Sequence, residues 1–71
     1  MRTVSLRRGE DTIRLGQLLK LVDAVPTGAL VKDVLLAGSV RVNGEPEERR
    51  GRQLHPGDVV SIDGVEDVLV G

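Results

Sequence analysis

The chain has no cysteine, no phenylalanine, tyrosine or tryptophan, and only one histidine and one methionine in 71 residues. Without cysteine there is no disulfide framework, no thiolate metal site and no cysteine nucleophile. A small secreted scaffold is therefore not indicated, and a cytoplasmic location is the expectation. His55 has no second histidine or cysteine to complete a metal site or a nucleophilic pair. It reads as a turn residue, and no catalytic or metal-binding residue is assigned. Without aromatic rings there is no platform on which the bases of an open nucleic-acid strand would stack. No apolar run approaches the roughly 20 residues of a membrane-spanning helix. The stretch Met1 to Arg8 lacks the apolar segment of a signal peptide. No glycine-rich loop of the nucleotide-enzyme type occurs. Neither a membrane, a cofactor nor a small-molecule substrate is expected.

What is present is aliphatic. Leucine, valine, isoleucine, alanine and Met1 make up the apolar 39% of the chain. The length suits one small domain over residues 1–71. A core of this size yields roughly 3–5 kcal/mol of stability, too little to hold an elaborate strained catalytic geometry. The formal net charge is −1, but the charges are unevenly spread. Residues 1–55 carry all ten Lys and Arg against seven carboxylates, a net of +3. Residues 56–71 carry four carboxylates and no base, a net of −4. That dipolar layout suits a polyanion held by a local patch on one face.

Periodicity organises the chain. Thr3 to Leu6 reads as a short strand, and Arg7 to Asp11, with Gly9, as a turn. Thr12 to Leu15 is either a second short strand or the approach to a helix. Leu15, Leu18, Leu19 and Val22 fall on one helical face, with Gln17 and Lys20 on the other side. Pro26-Thr27-Gly28 breaks the pattern, and Thr27 is a suitable N-cap for a second helix. Leu30, Val31, Val34 and Leu35 form the apolar stripe of that helix, Lys32 and Asp33 face outward, and Gly38 is its left-handed stop. Val40 and Val42 alternate around Arg41 as in a strand, and Asn43-Gly44 marks a tight hairpin turn. Pro46 disfavours regular central pairing in the charged stretch Glu45 to Gln53. Leu54 to Asp58 is a turn into a strand over Val59 to Ile62. Asp63-Gly64 then turns into a last strand over Val65 to Val70. Helices and strands segregate in this way in an α+β domain.

Two spots have the chemistry to hold phosphate. The first is Arg49-Arg50-Gly51-Arg52, because the planar guanidinium donates paired hydrogen bonds to an oxyanion. Arg41 and Asn43 belong to the strand and turn just before it. Glu45, Glu47 and Glu48 stand ready to neutralise the same loop. The second is the start of the second helix, where free N–H groups and the positive dipole end meet Thr27 and Gly28, with Lys32 one turn on and Lys20 on the first helix. With no rings for stacking, these groups suit folded RNA recognised by shape and backbone.

Three stretches in order resemble one family. They are Ile13-Arg-Leu-Gly-Gln-Leu-Leu-Lys-Leu, Val40-Arg-Val-Asn-Gly-Glu-Pro-Glu and Arg49-Arg-Gly-Arg-Gln-Leu-His-Pro-Gly-Asp-Val-Val. Together they resemble the RNA-binding domain named after ribosomal small-subunit protein four, the S-four domain, and most of all its small stand-alone bacterial members. The resemblance covers about residues 12–64. It implies two short consecutive helices packed on a small, largely antiparallel sheet, the αL RNA-binding motif. It implies a non-enzymatic protein that docks structured RNA, ribosomal or transfer, on a basic face. Carried over by position, that face comprises Gln17 and Lys20 of the first helix and Thr27, Gly28 and Lys32 of the second. It continues with Arg41, Asn43, Arg49, Arg50, Arg52 and Gln53. Asp23, Asp33 and the three glutamates of the loop make this chain less basic than many such domains.

Two other readings fit parts of the chain. A ubiquitin-like sulfur carrier shares a Val-Asn-Gly-Glu hairpin, a late Gly-Asp-x-Val-x-Ile strand and a final glycine, here Val42 to Glu45, Gly57 to Ile62 and Gly71. It requires one long helix and a free Gly-Gly tail. A protein-interaction module without RNA binding is the third reading.

Overall fold

The computed structural model describes residues 1–6, 9–22 and 28–71, with the side chains of the last segment from residue 30 on. The chain order is β1 (Arg2–Val4), β2 (Ile13–Arg14), α1 (Leu15–Leu21), α2 (Gly28–Leu36), β3 (Val40–Val42), β4 (Glu45–Pro46), β5 (Gln53–Leu54), β6 (Val59–Ile62) and β7 (Val65–Val70). Two short helices and a mostly antiparallel sheet therefore form the α+β architecture anticipated from the sequence. The break at Pro26 and the N-cap role of Thr27 lie outside the described residues, as do Arg7 and Arg8 of the first turn.

The helices bury the aliphatic faces expected of them, with one exception. Leu15, Leu18, Leu19 and Val22 all turn inward from α1. On α2, Val31 and Leu35 are buried one turn apart and Val34 packs partly against them. Leu30 was expected in that stripe but is 40% exposed. It neighbours Val31, so about 100° of helical rotation carries it off the core-facing side. The backbone past α2 takes a left-handed turn at Gly38, φ +74°.

The main sheet runs β1-β7-β6-β3-β4. Antiparallel pairs join β7, β6, β3 and β4, while β1 adds in parallel to β7. Asn43 and Gly44 form the β3–β4 turn, both with positive φ, at +52° and +84°. That pair of left-handed residues is what a two-residue hairpin of this hand demands. Pro46 sits in β4 at the sheet edge, where its missing N–H costs no ladder bond. β1 ends at Val4, short of the strand expected through Leu6, because its partner β7 stops at Val70. A separate two-stranded ladder pairs β2 with β5, Ile13 opposite Leu54 and Arg14 opposite Gln53. It ties the segment before α1 to the end of the basic stretch.

This architecture does not match what the sulfur-carrier reading requires. Two helices stand where one long helix is required. The Gly71 N–H donates to the Val4 carbonyl at 2.8 Å, which fixes that glycine beside β1. No helix of the described residues is long and apolar enough to cross a membrane.

Candidate functional site

The loop 49–52 packs directly against the first turn of α1. A helix start leaves backbone N–H groups without partners inside the helix. Here the Leu15 N–H donates to the Arg52 carbonyl and the Gly16 N–H to the Arg50 carbonyl, each at 2.9 Å. The absence of a side chain at Gly16 permits the approach. A Cβ there would stand 3.3 Å from Arg50 Cβ, 3.4 Å from its carbonyl oxygen and 3.6 Å from Val31 Cγ1. The Arg14 N–H donates to Gln17 Oε1 at 3.2 Å, so Gln17 both caps the helix and turns toward the loop side.

Between helix and loop lies a concave cleft of about 310 Å³, lined by Arg14, Gly16, Gln17, Lys20, Val31, Arg50 and Gly51. Three cations and one amide surround an apolar floor. Among the described residues no carboxylate lines the cleft, and none lies within ion-pair distance of Arg14, Lys20 or Arg50. Gln17, Lys20 and Arg50 were read from the sequence as one face, and the fold brings them together. Arg14 was missed. Its spacing of three residues from Gln17, and of three more to Lys20, was the available signal.

The remaining candidates sit elsewhere or are differently engaged. Gln53 is exposed on β5, directly across the ladder from Arg14. Lys32 is exposed on α2, next to Val31 of the cleft floor. Gly28 is the first residue of α2, and Thr27 lies outside the described residues. Arg41 stands on β3, 3.7 Å from Asp63 across the sheet, with both side chains largely exposed. Pairs of this kind contribute about 0–1 kcal/mol. Asn43 uses both ends of its amide. Its Nδ2 donates to Asp58 Oδ1 at 3.0 Å, and its Oδ1 accepts the Val59 N–H at 2.9 Å. The His55 N–H donates to the other oxygen of Asp58 at 2.7 Å. That bond, with the Asn43 amide, holds the Asp58 carboxyl below the usual carboxylate range.

Arg49 and Arg52 converge on a buried carboxylate. Glu47 is only 7% exposed. Its Oε2 accepts the N–H groups of Glu48 and Arg49 at 3.1 and 3.3 Å and Arg49 Nε at 3.3 Å. Its Oε1 accepts Arg49 Nη2 at 3.2 Å and Arg52 Nη1 at 3.0 Å. The Arg49 side chain holds the Glu47 carboxyl down to about 2, with Arg52 adding to it against the opposing pull of burial. Of the three loop glutamates read as neutralising charge, this one is built into the loop. Its burial gave no sequence signal beyond the arginines two and five residues on.

A family model described as the S4 domain matches residues 4–70. The chain is 50% identical over 54 residues to a probable ribosome maturation protein RlbA of Bacillus subtilis, covering 76% of each chain. It is also 53% identical over 32 residues to the small ribosomal subunit protein uS4m of Schizosaccharomyces pombe. That alignment takes in 45% of this chain and 10% of the relative. Helices, sheet and matched residues agree, and the chain belongs to the S4 domain family.

Proposed function

We propose that this chain binds structured RNA of the ribosome, without catalysing a reaction, through the cleft between α1 and the 49–52 loop. The observation that carries the proposal is the convergence of Arg14, Lys20 and Arg50 on one concave surface that no carboxylate among the described residues lines. An RNA backbone presents phosphates to such a surface, and A-form RNA is read chiefly by shape and by phosphate and sugar contacts. The apolar floor at Val31 and the glycine backbone allow close approach. Gln17 and Gln53 supply neutral donors and acceptors at the rim. Both relatives carry ribosomal names, which favours ribosomal over transfer RNA, and the bacterial relative favours a cytoplasmic setting. Arg49 and Lys32 extend the face outward, so that four or five phosphates are neutralised.

Fluorescence anisotropy of a labelled RNA hairpin, titrated at several salt concentrations with duplex DNA as competitor, tests this reading. Four or five phosphate contacts give a slope of log K against log salt of about −3 to −4.5. Saturable binding with that slope, resistant to DNA, is the expected result. A slope near zero, or no binding in the high micromolar range at low salt, contradicts it.

A further inference from the structure

We infer that Glu47 is a positioning residue for RNA, because its buried carboxylate grips one edge of the Arg49 guanidinium and turns the other edge outward as a fixed phosphate fork. The inference rests on the RNA-binding reading above.

The geometry is asymmetric. Arginine carries five N–H donors in a rigid plane. Glu47 takes the Nε and one Nη2 hydrogen of Arg49 in a paired contact at 3.3 and 3.2 Å. Three N–H groups remain, two on Nη1 and one on Nη2, and they form the end of the fork that matches an oxyanion. The Arg49 side chain remains 78% exposed while the Glu47 side chain is 8% exposed. One end of the contact is therefore anchored and the other is open to solvent.

The anchor itself is rigid. The Glu47 N–H donates to the Val40 carbonyl at 3.1 Å, which ties it to β3 of the sheet. The Glu48 and Arg49 N–H groups close on its carboxylate. Arg52 donates to the same oxygen as Arg49 Nη2, and its own carbonyl receives the first N–H of α1. Glu47 thus joins the sheet, the basic loop and the start of α1. A free surface arginine loses rotamer freedom when it binds. Arg49 has part of that freedom already removed, so the ordering cost on binding falls.

Charge alone predicts the opposite consequence. A carboxylate near a polyanion site repels the ligand, so neutralising it tightens binding. The test is the affinity of Glu47→Gln for a fluorescein-labelled RNA hairpin at fixed salt. Positioning predicts binding about three- to tenfold weaker, the scale of ordering one rotamer-rich side chain. In an Arg49→Ala background the same change produces less than a twofold loss. Equal or tighter binding by Glu47→Gln overturns the inference, and so does an equal loss in both backgrounds, which marks a general structural role. If Glu47→Gln does not fold, Glu47→Asp keeps the charge and shortens the reach. Binding three- to tenfold weaker supports positioning, and unchanged binding overturns it. Binding by the wild-type chain separates these results from a failure of the RNA reading itself, in which no variant and no wild type binds.

Discussion

Two polar regions of this molecule are built in different ways. At the turn region formed by Asn43 and residues 55–59, donors and acceptors balance. Asn43, Asp58 and the N–H groups of His55 and Val59 satisfy one another. Along α1 and the 49–52 loop they do not balance. Arg14, Lys20 and Arg50 present donors to a cleft that no carboxylate among the described residues lines. A polar side chain whose partners lie within the fold contributes stability, and one whose partners are missing is available to a ligand. The comparison also divides the basic stretch: Arg50 faces the cleft, Arg52 is held by Glu47, and Arg49 has one edge on Glu47 and the other open to solvent.

Substitutions sharpen that division. The largest effect is expected at Leu54, fully buried in β5 between the two regions. Leu54→Ala costs about 2–5 kcal/mol, against a total near 3–5 kcal/mol for a domain of this size. Thermal unfolding by circular dichroism should show the domain largely unfolded at 37 °C. Asn43→Ala removes two hydrogen bonds and leaves a non-glycine residue at φ +52° without its compensating contacts. A loss of about 1–2 kcal/mol in denaturant unfolding is expected, with RNA affinity measured below the transition unchanged. Arg50→Ala is expected to do the reverse. Its melting temperature stays within a degree or two, and RNA binding weakens about five- to tenfold at physiological salt, the scale of one phosphate contact. A drop in affinity for Asn43→Ala, or in stability for Arg50→Ala, breaks the comparison.

The acid limb provides a subtler test. Glu47 is held at about 2, below its ordinary 4.5, and Asp58 is shifted in the same direction. A carboxyl with a lowered folded-state pKa stabilises the fold fully above its unfolded value and loses that stabilisation as pH falls through the folded value. Stability should therefore be level above about pH 5 and fall between pH 4.5 and 2. In Glu47→Gln the fall is shallower, and a pH titration of urea midpoints measures the difference. An unchanged acid limb in that variant contradicts the coupling of Glu47 to its two arginines.

Much of the fold is legible in the residues. The α1 face from Leu15 to Val22 follows from apolar spacing, and the hairpins follow from Asn43-Gly44 and Asp63-Gly64. These signals are local. The parallel β1–β7 pair joins the two ends of the chain, and the β2–β5 ladder has two residues per strand. The strands over Thr3 to Leu6 and Val65 to Val70 are readable one by one, but neither pairing leaves a local pattern, because its partners lie far apart in the chain. The site divides in the same way. Gln17, Lys20 and the arginine run are visible as exposed polar positions, and their meeting across a cleft is a tertiary fact set by the close approach at Gly16. Arg14 reads as a residue on the way into a helix, and the fold places it with Arg50 on the lining of one cleft. Asn43 shows the limit from the other side. Its type suits base or sugar contacts, yet its amide is engaged with Asp58 and Val59.

The most direct test of the central claim is the salt dependence of RNA binding in the triple variant Arg14→Ala, Lys20→Ala, Arg50→Ala, beside the wild-type chain, with folding checked by circular dichroism. If the cleft is the RNA face, the folded variant binds the hairpin far more weakly, and its slope of log K against log salt is shallower by about 2–3. A folded variant that retains wild-type affinity and slope contradicts the account and moves the RNA to another surface.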